Sequence, residues 1–205
     1  MAKSIGEKRL ESGLQSLLAI AFVGLTSAAM RAQAEEPLCT GDDLATAMSA
    51  KADASKAIDK AIAAIDQPST SDLDRLATWF GVHSSSDAAE VRDTLVKARS
   101  FSDGATFLCS TTTNAKLGDV YAYVRPDQSF AVVLGSYFFN AQGDGFNSKF
   151  GTVVHEITHF VLVGSTKDDA YGVNSAKALA ASEPTKARRN ADNYEYFVEA
   201  TWSAQ

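Results

Sequence analysis

The sequence predicts an α+β domain, and three observations carry that prediction. Alanine-rich stretches with helical periodicity fill 42–65, 70–80 and 86–100. β-branched and aromatic residues then cluster at 120–124 and 130–134, and helical periodicity returns from residue 149 to 202. The order is a helical N-terminal half, a small antiparallel sheet, then more helices.

Residues 1–34 stand apart from that domain. Lys3, Lys8 and Arg9 precede an apolar run over 17–25, and Ala32-Gln33-Ala34 places small residues where a signal peptidase reads. The run is too short for a comfortable membrane span. A removed secretory signal is therefore expected, leaving 35–205 as one domain with no stable membrane association. The expected location is outside the cytoplasm, extracellular or periplasmic. Without Lys3, Lys8, Arg9, Arg31, Glu7 and Glu11, 15 of the 19 basic and 23 of the 25 acidic residues remain, a net charge of −8. Such a surface suits cationic ligands and argues against nucleic acid. Export also makes the two cysteines, Cys39 and Cys109, a candidate disulfide rather than a metal or redox pair.

Within the helical half, Gln67-Pro68-Ser69 and the stretch 81–86 divide three helices, and Ser69, Ser71 or Asp72 can cap the second. His83 falls in the second divide and reads as a surface or packing residue. Val120-Tyr121-Ala122-Tyr123-Val124 and Phe130-Ala131-Val132-Val133-Leu134, joined through Pro126-Asp127-Gln128, read as a β-hairpin. Tyr137-Phe138-Phe139 reads as a further short strand. The aromatics of 121–139 are expected in the core, and one sheet edge could pair with an extended substrate backbone. A glycine-containing loop over 142–148 leads into the next helix, which Gly164-Ser165 can end. Helices over 172–182 and 185–202 follow, with Pro184 at their junction.

The helix after that loop carries His155-Glu156-Ile157-Thr158-His159. Residues four apart share a helix face, so both imidazoles can reach one zinc ion while the glutamate lies beside a water bound to it. Only three histidines occur in the chain, and two of them are here. The apolar stripe of Val153, Val154, Ile157, Phe160, Val161 and Leu162 shows a buried helix, which a core helix and a metal-bearing helix share.

A catalytic zinc takes a third protein ligand and keeps one position open. A third histidine six residues after the second would need glycine at 162 and histidine at 165. Leu162 and Ser165 stand there, so that class is excluded. Two alternatives remain open from spacing alone: Asp168, with Asp169 as its neighbour, after the glycine turn, or Glu195 from a later helix.

Three segments together resemble a known family: His155-Glu156-x-x-His159-Phe160, then Gly164-Ser165-Thr166-Lys167-Asp168-x-Ala170-Tyr171-Gly172, then Asn190-Ala191-Asp192-Asn193-Tyr194-Glu195-Tyr196-Phe197. In order and spacing they are similar to the aspzincins, and within them to the peptidyl-lysine metalloendopeptidases, relatives of the deuterolysins. The resemblance runs clearly over 151–197 and more faintly through Trp79-Phe80-Gly81 and the two cysteines. It implies a zincin-like metalloprotease domain binding one zinc ion, with Asp168 as the third ligand and Glu156 as general base. It further implies Tyr171 as transition-state stabiliser, and Asp192 with Glu195 lining a pocket for a lysine side chain. Ser165 departs from the glycine usual in the family, Asp169 from an aromatic, and the second disulfide of fungal members has no cysteines here.

The function these readings predict is a secreted zinc endopeptidase, acting as a monomer on lysine-containing proteins or peptides and cutting on the amino side of lysine. Its competitors are a broad-specificity deuterolysin-like protease, an enzyme with Glu195 on the metal, and a non-catalytic zinc-stabilised binding protein.

Overall fold

Alanine recurs along one face of the first helix, α1 (Gly41–Asp66), where Ala47, Ala50, Ala54, Ala57 and Ala61 are buried with Ile58. Such small side chains let other helices approach closely. Three of them do: α3 (Ser85–Gly104), α5 (Lys149–His159) and α8 (Ala191–Ser203) all pack on α1. A computed structural model describes residues 36–110, 120–127 and 130–204. The expected secretory signal at 1–34 lies outside the described residues, as does Gln128 of the expected hairpin turn.

Between α1 and α3 runs α2 (Thr70–Phe80), started by a reciprocal capping box in which Ser69 and Asp72 bond each other's backbone N–H. Gly81 ends α2 in the left-handed region at φ +59°, and a Cβ there would collide with the Ala180 carbonyl and the Pro184 ring. His83 is exposed in the turn that follows.

The sheet differs from the expected antiparallel one. It is mixed and three-stranded, in the order β1 (Thr106–Cys109), β3 (Ala131–Leu134), β2 (Ala122–Val124). β2 and β3 form the expected antiparallel pair with Tyr123 opposite Val133, while β1 lies parallel to β3 with Phe107 opposite Val132. Four residues of Thr-Phe-Leu-Cys carry too little alternation to announce a strand. Pairing on both edges of β1 creates it, because Cys39 donates to the Phe107 carbonyl, Cys109 to that of Pro37, and Cys39 and Cys109 are disulfide-bonded.

Three further expectations are corrected. Tyr137-Phe138-Phe139 is helical, within α4 (Ser136–Asn140): Phe138 turns into the core and Tyr137 outward, a split that a single helical turn provides. Tyr121, Phe130 and Tyr137 are exposed rather than core: Tyr121, just before β2, and Tyr137, on α4, pack their rings on each other, and Phe130, just before β3, packs on Phe101 and Phe160. The helix expected over 185–202 is broken into α7 (Pro184–Ala187) and α8, and α6 spans Val173–Ser182. Among the described residues, no helix is long and apolar enough to cross a membrane.

Helix α5 sits at the centre of this arrangement, against α1, α3 and α8 and against β2 and β3. Every residue from Phe150 to Thr158 is buried. Its polar residues therefore have no solvent to turn to, and each needs a partner within the protein.

Candidate metal centre and active site

His155 and His159 stand one turn apart on α5, their ring centroids 4.9 Å from each other. The Nδ1 atom of His159 donates to the Thr166 carbonyl at 3.0 Å, an acceptor that fixes the tautomer. On the other ring, His155 Nδ1 faces Asp192 Oδ1 at 2.9 Å and Glu195 Oε2 at 3.3 Å. With both Nδ1 atoms committed as donors, both Nε2 atoms are left to face inward. Each lies 3.2 Å from the same oxygen, Asp168 Oδ1.

Two imidazole nitrogens and a carboxylate oxygen at that spacing repel unless positive charge sits among them. Tetrahedral zinc with bonds of about 2.0–2.1 Å separates its ligands by about 3.3 Å, so the donor set fits that ion. Without a metal, protons take the place of the cation. Burial disfavours a charged His155, yet hydrogen bonds to Asp168, Asp192 and Glu195 outweigh it and raise its pKa well above the usual value. His159 is raised for the same reason by Asp168. Against its partial burial, Asp168 is held far below the ordinary carboxylate range by the two histidines.

Asp168 reaches the histidines through a turn tighter than expected. α5 ends at His159, five residues before Gly164, and Val163 and Ser165 both bond back to the Phe160 carbonyl. A side chain at 164 would meet Thr94 and the Thr158 carbonyl. Ser165 takes a left-handed φ of +49°, a conformation suited to the glycine usual in the family. The segment beyond is strapped to the start of α8: Lys167 donates to the Arg189 carbonyl, Ala191 to that of Lys167, and the Asn190 side chain bonds both backbone groups of Ala170. Asp168 thereby points in. Asp169, its rival by spacing, is exposed and lines a different hollow with Lys186 and Arg189.

A cleft of about 710 Å³ opens over these residues, lined also by Glu156, Tyr171, Thr152, Asn147, Tyr196 and edge strand β2. Glu156 is buried, and burial pushes its carboxyl up to about 7 despite the neighbouring histidines. Tyr171 is exposed and stacks near His155 at 6.4 Å. Partial burial and a hydrogen bond to Asp168 raise its phenol to about 12, so it is a proton donor at neutral pH. Asp192 and Glu195 reach the same cleft from one face of α8, where Asp192 also accepts from the Gly172 backbone at 2.6 Å. The residues picked out by the three sequence segments thus converge on one cleft.

Two supporting residues, Thr166 and Asn190, stand inside the segments that carry the resemblance but had no role assigned, and two more, Asn147 and Glu199, lie outside those segments. Glu199 is buried and accepts from Ser148 N at 2.8 Å, Ser148 Oγ at 2.7 Å and Asn147 N at 3.3 Å. Ser148 is the N-cap of α5 and accepts from Gly151, whose missing Cβ leaves room for the Glu199 carboxylate. A Ser-x-x-Gly start and a glutamate 51 residues beyond the serine have no visible connection in the sequence.

The sequence profile of the aspzincin family, described as lysine-specific metallo-endopeptidase, matches residues 65–199, a span that holds every residue lining this cleft. The chain belongs to the aspzincin family. This aspzincin is 38% identical over 130 residues to a peptidyl-Lys metalloendopeptidase of Armillaria mellea, an alignment covering 63% of the chain and 36% of that relative. It is 37% identical over 140 residues to an extracellular protease of Aeromonas hydrophila, covering 67% of the chain and 38% of the relative. The chain thus spans little over a third of the length of these curated relatives. A solved structure, a zinc peptidase from Grifola frondosa, is similar with a TM-score of 0.71 and 32% identity, covering 80% of this aspzincin and 99% of that chain.

Proposed function

We propose that this aspzincin is a secreted zinc endopeptidase that hydrolyses peptide bonds on the amino side of lysine. The observation that carries the reading is the convergence of His155 Nε2, His159 Nε2 and Asp168 Oδ1, with Glu156 beside them in the cleft. One zinc ion held by those three residues would supply a Lewis acid that activates water and polarises the scissile carbonyl. Glu156, buried beside those three residues in the cleft, takes a proton from the attacking water and hands it to the leaving amine. Tyr171 turns its phenol from Asp168 to the developing oxyanion. The uncovered edge of β2 pairs with the substrate backbone.

Asp192 and Glu195 anchor the lysine ammonium through charge-assisted hydrogen bonds. Their placement supports a second task, since both also hold the Nδ1 side of His155 and so orient a proposed metal ligand. That same placement counts against Glu195 as the third ligand: it lies on the far side of the His155 ring from His159. Secretion is supported by the character of residues 1–34, by the disulfide and by the extracellular relative. A monomer is the simplest reading, since every residue named above for the cleft comes from one chain.

The test is a digest of a whole proteome by the purified protein, with and without a zinc chelator. New peptides beginning with lysine, lost on chelation and restored by zinc, are expected. Cleavage without lysine preference would favour the broad deuterolysin-like reading. Hydrolysis unaffected by Glu156→Gln, or none from the parent, would sink the mechanism.

A further inference from the structure

Two tyrosines at the cleft have no part in the chemistry described above. Tyr121 and Tyr137 both line it, 44% and 47% exposed, with their rings edge to face at 5.6 Å. Backbone bonds hold the pair together: Gly135 donates to the Tyr121 carbonyl at 2.8 Å and Tyr137 to the Val120 carbonyl at 3.2 Å. A Cβ at 135 would collide with that Val120 carbonyl, so glycine permits the approach. Aromatic faces left in solvent beside a cleft offer apolar contact to whatever the cleft binds.

Their place along the cleft fixes which part of a substrate meets them. Beyond one end of β2 the Pro126 carbonyl accepts from Val161, just past the His159 end of α5. At the other end stands Tyr137 on α4, which leads into the start of α5, where Lys149 donates from its backbone to the Gln142 carbonyl and from its side chain to that of Ala141. β2 therefore runs alongside α5 in the direction of its His159 end. Asp192 and Glu195 hold His155, one turn back from His159. A lysine that follows the cut bond and reaches them sends the chain after it towards Tyr121 and Tyr137, and the chain before the bond towards Pro126. Successive side chains of an extended chain point to opposite sides. The lysine side chain goes down to Asp192 and Glu195, which are buried, so the next one turns outward to the exposed rings.

We propose that Tyr137, with the Tyr121 ring beside it, is a specificity-determining residue: the pair forms an apolar subsite for the side chain of the residue that follows the lysine, and selects large aliphatic and aromatic side chains there. The inference rests on the lysine-directed reading above. A small or charged side chain in that position leaves the two rings in water and gains nothing from them.

In a proteome digest, peptides that begin with lysine should carry large apolar residues in their second position more often than the proteome does after its lysines. On matched synthetic peptides the parent should hydrolyse the one with leucine after lysine with a kcat/KM about ten-fold above that of the one with serine. Tyr137→Ala should bring that ratio to within about two-fold by slowing the leucine peptide alone. Tyr137→Arg should make aspartate in that position better than leucine. A parental ratio near one would overturn the proposal, as would a Tyr137→Ala variant that keeps the parental ratio or slows both peptides equally. Should Tyr137→Ala fail to fold, Tyr137→Arg decides alone, and its continued preference for leucine over aspartate would overturn the proposal. A parent with no lysine preference removes the lysine-directed reading and this inference together; a lysine-selective parent indifferent to the next residue removes only this one.

Discussion

Ser165 holds the left-handed conformation in the turn that delivers Asp168, where a Cβ costs about 1 kcal/mol. Ser165→Gly should raise the stability to urea by about 0.5–1 kcal/mol, the greater freedom of glycine in the unfolded chain offsetting part of the relief. Asp192 carries a larger prediction. Because it holds His155 Nδ1 at 2.9 Å, Asp192→Asn should weaken zinc binding about 10–100-fold in a competition with a chelator, beyond any change in KM. Unchanged zinc affinity would leave Asp192 with a substrate role only. At this scale the sequence was highly legible for the histidines, whose i, i+4 spacing is local. It was silent on Asp192 touching His155, because a contact between residues 37 apart has no local pattern.

Elements meet the site through α8, which brings Asp192 and Glu195 to one end of α5 and Glu199 to the other. Burial and the nearby Glu195 push Glu199 up to about 8 in spite of its three donors, well above the ordinary 4.5. The folded protein therefore keeps a proton that the unfolded chain gives up above 4.5. The stability this group contributes is complete below that pH and is lost as the pH rises through 8. In urea titrations between pH 5 and 8 the parent should lose stability faster than Glu199→Gln, by up to about 1.4 kcal/mol per pH unit. Equal slopes would show that Glu199 is ionised in the fold. Helix periodicity placed α1, α2 and α3 within a few residues of their observed bounds. It failed for β1 and for Tyr137-Phe138-Phe139, where runs of three or four residues satisfy either period and the neighbours decide.

For the molecule as a whole, the Cys39–Cys109 bridge closes a loop of 70 residues that holds α1, α2 and α3. Replacing both cysteines by serine should lower stability by about 4 kcal/mol in the chain-entropy account, read as a shift in the urea midpoint with little change in the lysine preference of the digest. A shift under about 1 kcal/mol would place most of the N-terminal half's anchoring in α1 packing instead. The sequence by itself determined the α+β class, the helix with its histidine pair, the exclusion of a third histidine and the membership of a family, since all of these are written in short-range spacing. Only the tertiary structure brought Asp168, and not Asp169, beside both histidines, turned Asp192 and Glu195 toward His155, and joined Glu199, Asn147 and Tyr196 into one wall. Those outcomes depend on where a tight turn and a distant helix leave a side chain, and burial then requires each polar group to find a partner that no local pattern names.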